Sequence, residues 1–325
     1  MKIALLLALL ATPAAADLNA ALDAQILPGF AAFASQTAAL RYAAAAYCTP
    51  ATLHDPYNIA FDAWMGVSHL RIGPLEQGSR AIAIAFWPDE RGTTPKALAD
   101  LIAAQDPIIE TTDGVAQISI AGRGLFALEF MLYDPDFSEK SDYSCALIRA
   151  LTADLAHLAA DVQVEWEGGY AETLRSAGQP GNRTYLSQAE GNQALFTALA
   201  TGLEFTQDSR LGRPLGTFDR PRPLRAEAWR SGRSQRNVIL SVQALAGLAD
   251  ALSDGATPLT DAAVAKAVQL AAAFDDPAFA GVSDPSGRLK VEILQQAVID
   301  LRDAILTEVG ADLGVSTGFN AADGD

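Results

Sequence analysis

Apolar side chains return every three to four residues along most of the chain, in runs broken by Gly, Pro and short polar stretches. That period predicts helices rather than strands. A long Ala-rich helix is predicted over 18–47, carrying Leu22, Ile26, Phe30, Phe33, Leu40 and Tyr47, with Pro28-Gly29 bending or interrupting it. A loop through Cys48-Thr49-Pro50 and His54-Asp55-Pro56 leads to a second helix with Ile59, Phe61, Trp64, Met65, Val67 and Leu70, which stops at Gly73-Pro74. An irregular segment rich in Arg and aromatics follows, then helices at 95–105, 123–133 and 140–167. The polar stretch Ser176-Ala177-Gly178-Gln179-Pro180-Gly181-Asn182 reads as a domain boundary. Beyond it the helical pattern resumes through Leu195, Phe196, Leu199, Leu203 and Phe205, breaks across 212–223, and continues at 225–252, 260–275 and 285–312. The tail from Leu313 is expected to be non-helical. The fold class is therefore all-α: two four-helix-bundle-like domains, 17–178 and 179–325, suggesting a duplicated bundle.

Composition supports this reading, because half the residues are apolar and Ala is abundant. The first sixteen residues differ from the rest. Lys2, the apolar run Ile3–Leu10 and the small residues Ala14-Ala15-Ala16 form a secretory signal with cleavage expected after Ala16. Its apolar core is far shorter than the roughly 20 residues of a membrane span. No later segment is long and apolar enough either, so the mature chain is expected to be periplasmic with no membrane span. In that oxidising compartment the chain's two cysteines, Cys48 and Cys145, are expected to pair. Neither has the Cys or His neighbour that a zinc site would need.

Net charge is −16, which argues against nucleic acid as a partner. The charge is unevenly placed. Residues 210–236 hold Arg210, Arg213, Arg220, Arg222, Arg225, Arg230, Arg233 and Arg236 against Asp219 and Glu227, a local +6 that leaves −22 elsewhere. No Lys is present in the segment, so every cation there is a planar fork suited to carboxylate or phosphate. From 225 onward a helix would place Glu227, Arg230, Ser231 and Ser234 on one side, with Trp229, Arg233 and Arg236 on another.

The acid that attracts attention is Glu129. On a helix over 123–133 it falls about 40° from Leu125 and about 60° from Phe126 and Leu132, inside the apolar face. A carboxylate buried there needs a cation, a donor cluster or a proton. It is either one half of an ion pair with an Arg from another helix or a binding-site acid. Arg123, Arg230 and Arg233 are the candidate cationic partners, and the arginines are also expected to neutralise acids such as Glu204. Of the three histidines, His69 shares a helix face with Asp62 as a candidate metal pair, and His157 lies mid-helix. The chain contains no HExxH, no Gly-x-Ser-x-Gly and no Cys/His nucleophile pair.

Several of these residues carry a family resemblance. Gly124-x-Phe126-x-x-Glu129 resembles the Gly-x-His-x-x-Glu motif of the imelysin-like family, with Phe126 at the His position. Gly73-Pro74, Trp87-Pro88-Asp89, Glu227-x-x-Arg230-Ser231-x-Arg233-Ser234 and the terminal Gly318-Phe319-Asn320-x-x-Asp323-Gly324-Asp325 are similar to stretches of the same family. The resemblance implies a duplicated imelysin-like fold and a periplasmic protein tied to iron uptake. It also implies a site in which Glu129 binds a metal or an anionic metal chelate, iron or an iron chelate being the implied cofactor. Arg123, Arg230, Arg233 and Ser234 would face that site, with Asp89 and Arg91 lining it from the long connection. An envelope transport partner is also implied. The alternatives are a structural or partner-binding envelope protein without ligand, and the metallopeptidase activity ascribed to some members. Loss of the His weighs against peptidase chemistry.

Overall fold

Stripes of period 3.6 must be buried against other helices, and the computed structural model, which describes residues 18–138, 141–253 and 255–315, is helical throughout its regular elements. Among the described residues no strand forms; Thr217 and Arg220 share one isolated bridge. The expected signal segment and the terminal Gly318–Asp325 motif lie outside the described residues.

The main helices are α1 (Leu27–Ala46), α2 (Pro50–Val67), α3 (Thr93–Ala104), α4 (Gly124–Tyr133), α5 (Asp142–Glu165), α6 (Gln188–Glu204), α7 (Ser234–Leu252), α8 (Pro258–Ala272) and α9 (Pro285–Leu313). The expected interruption near Pro28 occurs just ahead of it, as a π-helical turn over Leu22–Ile26 in which the Leu27 N–H reaches back to the Leu22 carbonyl. Pro28 then sits in the first turn of α1, where its missing N–H costs little. The loop expected through His54-Asp55-Pro56 is instead part of α2. Leu53 and Tyr57, fully buried on either side of Pro56, hold that turn in the core despite the lost donor. Tyr47, placed on the first helix by its spacing, lies beyond the end of α1 and is exposed.

In the first half α1 packs on α2 and α5, and α4 packs on α2 and α5. In the second half α8 packs between α7 and α9, and α6 packs on both of the same helices. The halves meet where α2 lies on α7, and the segment Leu18–Ile26 also reaches α7. The buried apolar residues of both halves form one contiguous cluster. Two features fix the packing of the first half. Gly124 has φ +72°, and a Cβ there would collide with the carbonyl oxygens of Ala83 and Ile84, so only glycine lets the helix start so close to that backbone. The Cys48–Cys145 disulfide ties the end of α1 to the first turn of α5, with Cα atoms 5.2 Å apart.

Candidate functional site

Every residue of α4 from Gly124 to Leu132 is buried, so the carboxylate of Glu129 has no route to bulk water along its own helix; it is 1% exposed. Its Oε1 accepts two hydrogen bonds from one residue, the Ser231 backbone N–H at 2.9 Å and the Ser231 hydroxyl at 2.7 Å. Among the described residues Oε2 accepts none. Burial pushes the Glu129 pKa above the usual carboxylate range. The two Ser231 donors and the fields of Arg230 and Arg233 oppose that shift without cancelling it. The sequence requirement for a donor cluster is thus met by a serine, in place of the expected arginine.

Ser231 can do this because the predicted helix from 225 does not form there. After a short turn, Pro223–Arg225, the chain folds over itself, with Ala228 at φ +50° and Gly232 at φ +66°. The Arg233 N–H closes onto the Ala228 carbonyl at 3.0 Å, and α7 begins only at Ser234. A helix would have spent the Ser231 N–H on the carbonyl four residues back, whereas this turn frees it for Glu129. The face assignment made for a helix therefore fails. Ser234 donates to the Glu227 carbonyl at 2.7 Å, away from Glu129.

The three arginines proposed for Glu129 each have another acid. Arg123 forks onto Asp154 of α5 at 2.6 and 2.9 Å, and both are buried. Arg230 donates to Asp134 at 2.7 Å and lies over Phe130, 3.8 Å from the ring centroid, and over Trp229, 4.4 Å away. Arg233, 2% exposed, donates to Asp62 at 2.6 Å and to the Asn58 side chain at 3.0 Å. Arg236 also binds Asp62, so the carboxylate considered as a metal partner of His69 is taken by two guanidinium groups. His69 is buried and its pKa falls to about 3, because burial and the nearby Arg210 disfavour its charge. His157 is exposed beside Asp161, and His54 stacks on Tyr133. Glu204 forms no ion pair among the described residues; the acid that takes Arg210 is Glu227, at 2.7 Å, with both side chains buried. Sequence reasoning missed this pair because the helical wheel grouped Glu227 with Arg230, Ser231 and Ser234.

Glu129 borders a small cavity of about 160 Å³ between α4, the 86–95 connection and the 224–230 turn. Trp87, Phe126, Phe130 and Trp229 supply rings, and Arg213, Arg225 and Arg230 supply cations at its border. Trp87 and Phe126 stack with centroids 6.3 Å apart. Asp89 borders the cavity too, but its two oxygens accept the Thr93 and Thr94 N–H groups at 2.9 and 2.8 Å and cap α3. Arg91 is exposed and does not line the cavity; it lies near Glu90, which pairs with Arg213 at 2.7 Å. A resident bare metal does not fit this donor set. Asp89 is committed to backbone donors, Phe126 offers no ligand atom, and no group of three His, Cys, Asp or Glu able to hold an ion exists among the described residues.

No curated protein matches the chain. An imelysin-like protein from Psychrobacter arcticum 273-4 is similar in structure, with TM-score 0.78, 21% identity and coverage of 94% of this chain and 100% of that one. A "putative iron-regulated protein A precursor" from Parabacteroides distasonis is similar with TM-score 0.73, 14% identity and coverage of 94% and 97%. At those identities the likeness is one of fold. The family model described as Imelysin matches residues 26–305, and the chain belongs to that family.

Proposed function

We propose that the chain is an exported, periplasmic binding component of iron uptake, whose ligand is a small anionic metal chelate held in the Glu129 cavity. The observation that carries this reading is a buried carboxylate with one oxygen committed to Ser231 and the other unpaired among the described residues, beside a cavity bordered by three guanidinium groups. A chelate brings its own metal ligands, so the poverty of protein donors that tells against a bare ion is no obstacle. Its peripheral carboxylates suit arginine forks, and a hydroxyl or protonated oxygen can donate to Glu129 Oε2. Export is supported by the leader-like residues 1–16 and by a disulfide, and no described helix is long and apolar enough to cross a membrane. Delivery would require an envelope transport partner.

A second reading has one specific observation in its favour. Glu129 holds the 226–233 turn through both Ser231 donors, which is a structural task complete without ligand. Calorimetric titration of residues 17–325 with ferric citrate, citrate, iron salts and zinc separates the two. Saturable uptake of ferric citrate that disappears in Glu129→Gln supports binding. No heat with any of the four leaves Glu129 as a brace and removes the binding role.

A further inference from the structure

The ion pairs of the basic segment are unevenly distributed. Arg210, Arg213, Arg230, Arg233 and Arg236 each hold an acid of this chain. Arg220, Arg222 and Arg225 hold none among the described residues, and all three are exposed. They border an open depression of about 470 Å³, with Gly216 and Thr217 between them and Asp219 as an acid on its edge. Phe218, 75% exposed, and Leu224, 67% exposed, flank the same loop.

The loop is built rather than loose. Gly216 takes φ +56°, and a Cβ there would collide with the Arg220 carbonyl oxygen, so the tight reversal requires glycine. The Arg222 N–H donates to the Pro214 carbonyl at 2.8 Å, and Arg288 of α9 donates to the Leu215 carbonyl at 2.6 Å. Three forks are therefore presented from a backbone already pinned, which lowers the ordering cost of binding. Exposed aromatic and aliphatic side chains beside arginine are the composition of a protein interface. An open depression ringed by separate guanidinium groups suits an extended acidic segment better than one small anion. An anionic membrane is disfavoured, because the rest of the chain carries −22 and would be repelled from it.

We propose that the loop from Gly212 to Arg225 docks an acidic polypeptide segment of a partner protein, with its carboxylates on Arg220, Arg222 and Arg225 and its apolar side chains against Phe218 and Leu224. Arg213 and Arg225 border both this depression and the Glu129 cavity, so the docked partner sits at the cavity mouth. The docking does not depend on Glu129 binding a ligand.

The test is fluorescence anisotropy of a dye-labelled peptide of repeating Glu-Glu-Leu, titrated with residues 17–325 at low and physiological salt. Saturable binding that weakens with salt is expected, reduced at least about tenfold by the combined Arg220→Glu, Arg222→Glu and Arg225→Glu replacements. Phe218→Ala is expected to weaken it by a smaller factor, and Glu129→Gln to leave it unchanged. An unchanged thermal midpoint shows that the charge-reversed chain is folded; if it is not, Arg222→Glu alone carries the comparison. Absence of peptide binding, equal affinity after charge reversal, or binding only to vesicles of anionic phospholipid overturns the proposal.

Discussion

Glu129 is an acid held where the neutral form is favoured, and that gives it a signature in pH. Its folded-state pKa lies above the ordinary 4.5 because burial outweighs the two Ser231 donors. The folded chain therefore keeps that proton to higher pH than the unfolded chain does. The stability contributed by this difference is fully present below about pH 4.5 and is lost as pH rises through the raised folded value. Gln at this position keeps a carbonyl oxygen for Ser231 and never ionises. Urea unfolding from about pH 4 to about pH 8 is expected to show the Glu129→Gln chain gaining on the wild type across that window. A wild type that gains on the variant as pH rises would mean that the ionised carboxylate is the stabilised form. The burial behind this prediction was legible from period alone, since Leu125, Phe126 and Leu132 bracket Glu129 on the helix. The partner was not, because Arg123, Arg230 and Arg233 had acids nearer to hand in Asp154, Asp134 and Asp62. Which of many acids an arginine meets is decided by tertiary packing, and local spacing carries no record of it.

Between α6 and α7 the chain makes the turn that sequence reasoning missed. Ala, Glu, Trp and Arg at 226–230 all tolerate helix, so propensity predicts one. The competing interactions are long-range. The Ser231 N–H goes to Glu129, and Ala226, Glu227 and Ala228 are buried against the core. Pro56 errs in the opposite direction: a residue that ends helices locally is carried inside α2 because Leu53 and Tyr57 pack on either side of it. What holds the 226–233 element inward is Glu227, whose Oε2 accepts from Arg210 Nε at 2.7 Å and from Asn237 at 3.1 Å. Arg210 adds bonds to the Thr206 and Ser241 hydroxyls, both at 3.1 Å, and lies 4.8 Å from the Phe205 ring. Removing one charge leaves the other enclosed and uncompensated. Glu227→Gln is expected to cost about 3–5 kcal/mol in urea unfolding, whereas replacing Arg210 and Glu227 together with Met and Leu is expected to recover most of that loss. A single replacement costing under about 1 kcal/mol would mean that the pair is more hydrated than its enclosure indicates.

Across the whole molecule, the boundary read at 176–182 divides the chain in sequence more cleanly than in space. The Leu18–Ile26 segment leaves its own half to pack on α7, where Gln25 binds the Ala244 carbonyl. From the other side, Arg233 and Arg236 of the second half hold Asp62 of α2, Arg230 holds Asp134, Arg213 holds Glu90, and Ser231 holds Glu129. Much of the basic segment's charge is thus spent across the join, over an apolar core that runs through both halves. Separating the halves would expose that core and strip Arg233 of Asp62, Asn58 and the Phe61 ring, so neither is expected to be stable while the other unfolds. Scanning calorimetry of residues 17–325 should therefore show one transition whose calorimetric and van't Hoff enthalpies agree. Glu227→Gln should move that whole transition downward, including the part reported by Trp64 and Trp166 in the first half. Two resolved transitions, with only the second moved by the replacement, would show that the halves fold independently and that the arginines merely decorate their contact.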